Sequence, residues 1–247
     1  MSARWLQVLP DADAAARRAA DVVAARLRAA VAAKGQFRLA LSGGSTPVPM
    51  FEALAAKSLP WSQVEIYQVD ERVAPADSPD RNLTSIQAAF GGVGARIVAM
   101  PVESLDLTNA AARYQEELPV VFDLVHLGLG LDGSTASLVP GDPVLEIIDR
   151  DVALSGPYHG CSRMTLTYQG LSKATEVLWL ITGADKAAPL GRLCANDWAI
   201  PAQRVSCERA RFVTDGDAVS VLETDRPTGV HLWHRDTSPS SLTSTGR

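Results

Sequence analysis

The chain has 247 residues, of which 47% are hydrophobic, and it carries a formal net charge of −5 at pH 7. This size and apolar content suffice for one domain with a large core, and the acidic balance disfavours binding to nucleic acid or to an anionic membrane. No apolar run approaches membrane-spanning length, the first residues lack a signal-peptide pattern, and the 3 cysteines lack disulfide or metal-type spacing, so we expect a cytoplasmic protein with reduced thiols.

Apolar strand patterns and helical patterns alternate along the chain. We predict helices near residues 13–34 (with Gly35 as the stop), 46–57, 80–90, 108–117, 184–195 and 216–222. We predict strands near residues 37–41, 64–69, 96–100, 121–128, 163–168, 176–182 and 211–213. This order predicts an α/β fold with a mostly parallel, Rossmann-like central sheet and helices on both faces. We expect residues 1–222 to form this single domain and the polar residues 223–247 to form a flexible tail.

The most informative segment is residues 122–140, an apolar strand followed by a glycine-rich loop. The glycines let the backbone bend and approach a ligand, and the hydroxyl residues after them suit a helix start, where free N–H groups bind anions. The glycines are Gly128, Gly130 and Gly133, and the hydroxyl residues are Ser134, Thr135 and Ser137. We expect His126, inside the strand, to be a core residue with satisfied hydrogen bonds. The glycine spacing fits a dinucleotide motif by letter, but the acidic residue of that motif is missing, so NAD is not expected.

A second loop of the same kind follows the strand at 37–41. Gly43 and Gly44 free the backbone, Ser45 or Thr46 can cap a helix, and Pro47 suits its first position. One such loop is compatible with an ordinary strand–helix connection, but two in one sheet predict a phosphate-sized site at the carboxyl ends of the strands. No lysine follows the glycines, so neither loop is a Walker A motif.

A charged triplet, Asp70, Glu71 and Arg72, ends the strand at 64–69. It is either a surface ion-pair cluster or a functional group in which Arg72 faces an anion and an acidic neighbour handles a proton. We expect Asp80 to cap the next helix, with Arg81 and Asn82 at the same rim.

Together these motifs resemble 6-phosphogluconolactonases in order and spacing, over roughly residues 5–222. The matching blocks are residues 42–47, 70–72, 80–82, 128–138, 163–167, 178–186 and 201–205. The resemblance implies hydrolysis of 6-phospho-D-glucono-1,5-lactone, a small phosphosugar lactone, to 6-phospho-D-gluconate in the oxidative pentose phosphate pathway, without metal or cofactor. The implied substrate-binding residues are Ser42, Gly43, Gly44, Ser45, Thr46, Arg72, Arg81, Asn82, Gly130, Gly133, Arg163 and Lys186.

The chain departs from this family at Ser134, where the family pattern has the histidine usually assigned as general base. General base catalysis contributes about 10²–10⁴-fold, so lactonase activity is expected to be impaired. Asp132, Asp70 or Glu71 would have to position or deprotonate the attacking water, and His159 is a further candidate. Backbone N–H groups at Gly130, Gly133 and Ser134 are expected to stabilise the developing oxyanion.

Two other functions stay open from the sequence. Related glucosamine-6-phosphate deaminases share the fold and the first glycine loop, so an aldose–ketose isomerase or amino-sugar phosphate deaminase is one alternative. The other is a sugar-phosphate-binding protein that keeps the phosphate site without a base. The sequence gives no oligomeric state.

Overall fold

The computed structural model describes residues 4–206 and 209–234. Its strands are β1 (Arg4–Leu9), β2 (Phe37–Leu41), β3 (Val64–Gln68), β4 (Asp70–Arg72), β5 (Arg96–Val98), β6 (Leu124–Leu127), β7 (Val152–Tyr158), β8 (Cys161–Leu166), β9 (Val177–Ile181), β10 (Ala210–Asp215) and β11 (Val230–His234). Its helices are α1 (Ala12–Lys34), α2 (Val48–Ala55), α3 (Asn82–Phe90), α4 (Leu107–Glu117), α5 (Tyr168–Ser172), α6 (Ala187–Cys194) and α7 (Ser220–Thr224).

Eight strands form one sheet in the order β11-β1-β10-β9-β6-β2-β3-β5, and every neighbouring pair is parallel. Its central strands are buried along their whole length because helices cover both faces, as the continuous apolar runs of β6 and β9 require. One core cluster packs α1, α2 and α3 against the sheet, and a second cluster includes α4 and α6. The predicted α/β fold with a parallel central sheet is confirmed.

Helix α1 shows how closely the sequence determines a local element. The Asp11 side chain accepts a hydrogen bond from the Ala14 N–H at 2.7 Å and caps its first turn. Gly35 ends the helix with φ 75°, a left-handed conformation that glycine adopts without strain. The alanine-rich face between these caps is buried against the sheet and α2.

A second, three-stranded sheet departs from the predicted architecture. In it β4, β8 and β7 run antiparallel in that order. The strand predicted near 163–168 therefore exists, as β8, but it lies outside the central sheet. The hairpin partner β7 was not predicted, because Gly156 and Pro157 interrupt its apolar pattern. This small sheet brings β4, at the end of β3, next to β8.

The carboxyl-terminal boundary also differs from the prediction of a tail that starts at residue 223. Helix α7 ends at Thr224, and β11 adds an edge strand that pairs in parallel with β1. Neither β1 nor β11 was predicted, since polar and aromatic residues interrupt the apolar pattern of both strands. The part of the predicted tail from residue 235 onward lies outside the described residues.

Two predicted helix starts differ as well. After β6, residues 131–142 fold into successive turns rather than a helix, with Ala136 at φ 51° and an isolated bridge between Thr135 and Leu138. Asp80 does not cap α3, which begins at Asn82 without a capping side chain from Arg81. Within the described ranges, no helix has both the length and the apolar character needed to cross a membrane.

Candidate active site

A cleft of about 290 Å³ opens at the carboxyl ends of β2, β6 and β9. Parallel strands deliver the loops that follow them to one sheet edge, so the loops after these strands share this cleft. Twelve of the residues predicted for the site line it: Ser42, Gly43, Gly44, Ser45, Thr46, Asp70, Arg72, Asn82, Gly130, Ser134, Arg163 and Lys186. The two glycine loops thus meet Asp70 and Arg72 of the charged triplet at this cleft, whereas the predicted Glu71, Arg81, Asp132 and Gly133 do not line it.

The first glycine loop approaches the start of α3 too closely for any side chain. A Cβ on Gly43 would lie 2.1 Å from Asn82 Oδ1, well inside contact distance. Gly44 has φ 101°, which L side chains rarely adopt. Asn82 in turn donates from Nδ2 to the Asp70 carbonyl at 2.8 Å and to Asp70 Oδ1 at 3.2 Å. The glycines thus allow the loop to pack onto the amide that positions Asp70.

Asp70 is the buried carboxyl group of the cleft. Its Oδ2 accepts a hydrogen bond from the Ser137 hydroxyl at 2.6 Å and lies 3.9 Å from Arg163 Nη1. Burial raises the pKa of the Asp70 carboxyl, although Ser137 and Arg163 oppose the shift. A carboxyl group with a raised pKa in a cleft is a stronger base than an exposed aspartate, and it is a candidate for proton transfer.

Three cationic side chains line the cleft that contains Asp70. The β4–β8 register places Arg72 opposite Arg163, and Lys186 enters from the turn before α6. The Arg163 guanidinium lies over the Tyr158 ring, 5.1 Å from its centroid, and Arg163 Nε has no hydrogen-bond partner among the described residues. Lys186 also lies 3.7 Å from the exposed Asp185, but the cleft lining holds three cationic side chains and one carboxyl group, which makes it a site for an anion in a chain whose net charge is negative.

The second glycine loop presents Ser134 to the cleft. A Cβ on Gly130 would lie 2.1 Å from Ser134 Oγ, so only glycine leaves room for this hydroxyl. Gly133 has φ 84°, and a Cβ there would lie 2.4 Å from Ile200 Cγ2. Both glycines are therefore required by the loop conformation.

The backbone N–H groups of this loop are not arranged as the sequence suggested. Gly130 N–H donates to the Ser134 carbonyl at 2.7 Å, Gly133 N–H to the Gly130 carbonyl at 3.0 Å, and Ser134 N–H to Asp132 Oδ1 at 3.0 Å. These three donors serve the loop itself, because the segment folds as turns and not as a helix start. The expected oxyanion hole at these amides is thus not formed.

Asp132 supports the loop and does not line the cleft. Its Oδ2 accepts a hydrogen bond from the Tyr158 hydroxyl at 3.1 Å, in addition to the Ser134 N–H bond. Burial alone would raise the pKa of the Asp132 carboxyl, but the hydrogen bonds from Ser134 and Tyr158 outweigh burial and lower it. Asp132 is consequently a weaker base than Asp70. The Tyr158 ring also packs against His159, whose φ is 51°, and His159 does not line the cleft.

Glu71 and Arg81 lie behind the cleft as a buried pair. Glu71 is fully buried, with its Oε2 3.2 Å from Arg81 Nε. The Glu71 carboxylate also accepts hydrogen bonds from the N–H groups of Asn82 and Leu83, both at 2.8 Å, and so caps the first turn of α3. The predicted proton-transfer role fits Asp70 by position, and Glu71 holds the loop and the helix in place.

His126 is the site residue that the sequence interpretation misplaced. Its side chain is 1% exposed and lines the cleft, and neither ring nitrogen has a hydrogen-bond partner among the described residues. It is therefore not the satisfied core histidine that we predicted. A polar residue within a buried apolar strand, two positions before its glycine loop, was the signal available in the sequence.

Comparison with known proteins agrees with this geometry. The profile of the family described as Glucosamine-6-phosphate isomerases/6-phosphogluconolactonase matches residues 10–214. A 6-phosphogluconolactonase of Nostoc sp. is 34% identical over 217 residues, covering 81% of this chain and 90% of the relative. A 6-phosphogluconolactonase of Synechocystis sp. is 36% identical over 221 residues, covering 83% of this chain and 90% of the relative.

Solved structures share the same fold. A 6-phosphogluconolactonase from Shewanella baltica has a TM-score of 0.78 at 25% identity, covering 87% of this chain and 97% of its own. A monomeric glucosamine-6-phosphate deaminase has a TM-score of 0.78 at 17% identity, covering 88% of this chain and 99% of its own, which shows the fold alone. With its family profile, its relatives and its cationic cleft at the sheet edge, this chain belongs to the glucosamine-6-phosphate isomerase/6-phosphogluconolactonase family.

Proposed function

We propose that this protein hydrolyses 6-phospho-D-glucono-1,5-lactone to 6-phospho-D-gluconate, the lactonase step of the oxidative pentose phosphate pathway. The observation that carries the proposal is the cleft, in which three cations and one buried carboxyl group converge on the loops that match the family. The curated relatives that are 34% and 36% identical bear the name of this lactonase. We further propose that the protein acts in the cytoplasm on this small phosphorylated substrate.

Binding of the phosphate group is assigned to the cationic side of the cleft. Arg163, Lys186 and Arg72 supply charge-assisted hydrogen bonds to phosphate oxygens, and the backbone of residues 42–46 completes the cradle. Arg163 already has its guanidinium fixed over the Tyr158 ring, which reduces the freedom it loses on binding. This arrangement holds the lactone ring toward Asp70 and Ser134.

Proton transfer is assigned to Asp70. In this scheme the Asp70 carboxylate takes a proton from water as the water oxygen bonds to the lactone carbonyl carbon. The C–O bond to the ring oxygen then breaks, and the Asp70 carboxyl group returns its proton to that oxygen, which becomes a hydroxyl. The loop N–H groups are engaged elsewhere, so in this scheme the Ser134 hydroxyl turns from its hydrogen bond with the Asp132 carboxylate to donate to the developing oxyanion.

The test is a lactonase assay corrected for spontaneous hydrolysis of the lactone. Asp70→Asn should lower kcat by about 10²–10⁴-fold, the range for loss of a general base. Ser134→His introduces an imidazole whose pKa lies near working pH, and kcat should rise by about 10²-fold with a new ascending limb in the pH–rate profile. Asp77→Asn, an exposed change outside the cleft, is the matched control.

Three outcomes would contradict the proposed base or the proposed function. Full activity of Asp70→Asn would exclude Asp70 as the base. Calorimetric binding of 6-phosphogluconate without turnover above the blank would favour the sugar-phosphate-binding alternative. Ammonia release from glucosamine-6-phosphate would favour the deaminase alternative.

A further inference from the structure

A neutral polar pair lies inside the cleft, beside its cations. The pairing of β2 with β6 sets Leu41 opposite His126, so Ser42 follows directly beyond this contact. Ser42 N–H donates to the His126 carbonyl at 3.3 Å, and both side chains line the cleft while being 95% or more buried, with exposures of 5% and 1%. The two residues are therefore neighbours in the cleft wall through their backbones.

Both side chains have unmet hydrogen-bonding capacity within residues 4–206 and 209–234. Among the described residues, the His126 nitrogens and the Ser42 hydroxyl make no hydrogen bond of good geometry; the imidazole only approaches the Ser42 backbone. A buried polar group without a partner costs folding free energy, and such groups are rare in folded proteins unless water or a ligand completes them. We therefore expect a molecule bound in the cleft to complete the hydrogen bonds of this pair.

The chemistry of the pair selects an uncharged ligand group. Burial lowers the pKa of His126 to about 3, although the contact with the Ser42 backbone opposes the shift, so the imidazole is neutral near pH 7. A neutral imidazole offers one donor and one acceptor, and a serine hydroxyl offers both. A sugar hydroxyl, which is also donor and acceptor, matches this pair, whereas a phosphate group matches the cations.

Packing alone does not account for a histidine at this position. The other residues of β6 are apolar and fully buried, and the His126 ring makes an edge contact with Phe51, with centroids 6.2 Å apart. An apolar side chain would fill this space without the cost of two unpartnered nitrogens.

We propose that His126, together with Ser42, is a substrate-binding residue that hydrogen-bonds an uncharged hydroxyl of the phosphosugar. This pair distinguishes a sugar phosphate from other phosphate esters that the cationic residues alone would accept. The inference rests on the proposed function, since it takes the ligand to be a phosphorylated sugar acid or lactone.

The experiment is calorimetric titration of the intact protein and its variants with 6-phosphogluconate and with inorganic phosphate. His126→Leu should weaken 6-phosphogluconate binding by about threefold to tenfold, the loss of one neutral hydrogen bond, and leave phosphate binding unchanged. His126→Gln, which keeps a donor and an acceptor, should bind with intermediate affinity. His231→Leu removes an imidazole that stacks on Trp5 at the sheet edge and serves as the control.

A second series tests the same contact from the ligand side. Among monodeoxy derivatives of 6-phosphogluconate, one should bind the parent protein more weakly and bind His126→Leu with the affinity of the full ligand. Equal affinity of parent and His126→Leu for 6-phosphogluconate would overturn the inference. If His126→Leu does not fold, a parent that binds every monodeoxy ligand as tightly as the full ligand would overturn it too. A parent that binds no 6-phosphogluconate at all would instead count against the proposed function.

Discussion

Asp70 and Glu71 are adjacent in the sequence, and the structure predicts different consequences for their amide variants. Glu71→Gln changes a fully buried carboxylate that pairs with Arg81 and accepts two N–H groups of α3. Whichever oxygen becomes an NH₂ group then faces a donor where it had accepted a hydrogen bond. Breaking a buried ion pair by changing one partner costs about 3–5 kcal/mol.

The expected destabilisation by Glu71→Gln corresponds to a change in melting temperature. For domains of 150–250 residues, 1 kcal/mol shifts Tm by about 2–4 °C, so Glu71→Gln should lower Tm by roughly 6–20 °C. Asp70→Asn keeps an acceptor for the Ser137 hydroxyl but loses the 3.2 Å bond from Asn82 and the charge 3.9 Å from Arg163, so it should be destabilised by about 1–3 kcal/mol, less than Glu71→Gln. Its main effect should be a fall in kcat.

Thermal or urea denaturation of both variants, with kcat measured on folded protein at low temperature, checks this contrast. The reasoning is refuted if Glu71→Gln melts within about 2 °C of the parent. Loss of turnover by Glu71→Gln at unchanged stability would further identify Glu71, and not Asp70, as the proton-transfer residue.

Three other predictions follow from the cleft. Arg163→Ala or Lys186→Ala should weaken 6-phosphogluconate binding by about 1.5–3 kcal/mol and leave gluconate binding little changed, as measured by calorimetry. Gly43→Ala should lower activity and stability together, because its Cβ would lie 2.1 Å from Asn82 Oδ1, and an activity assay with a melting curve reports both. The folded-state pKa of His126 is about 3, against 6.5 for the unfolded chain, so the unfolded state takes up the proton first and stability falls as pH drops. Between pH 7 and pH 5 this amounts to about 2 kcal/mol, which urea denaturation should show in the parent but not in His126→Leu.

Several features were determined by local sequence alone. The caps of α1, the glycine loops after β2 and β6 and the alternation of strands with helices all depend on residues close together in the chain. Once the alternation implies a parallel sheet, chain topology brings the loops after its strands to one edge. Twelve of the predicted site residues could therefore be placed together before any coordinates were known.

The tertiary structure decided the roles within that site. Asp70 and Glu71 differ only in the side of β4 to which each points, one toward Ser137 and Arg163 and the other toward Arg81 and α3. No local pattern encodes that difference, because the partners come from segments distant in the sequence.

The same reason applies to the second glycine loop and to His126. The loop N–H groups are bonded within the loop, because Asp132 and the loop carbonyls accept their hydrogen bonds. The glycine spacing is compatible with either a turn or a helix start, so it does not predict this arrangement. A histidine in an apolar strand is compatible with a satisfied core or with a ligand contact. Only the packing of β6 between β2 and β9 shows that His126 lines the cleft with buried nitrogens that lack a well-formed hydrogen bond in the described part of the chain, since hydrogen-bond satisfaction depends on every neighbour in space and not on neighbours in sequence.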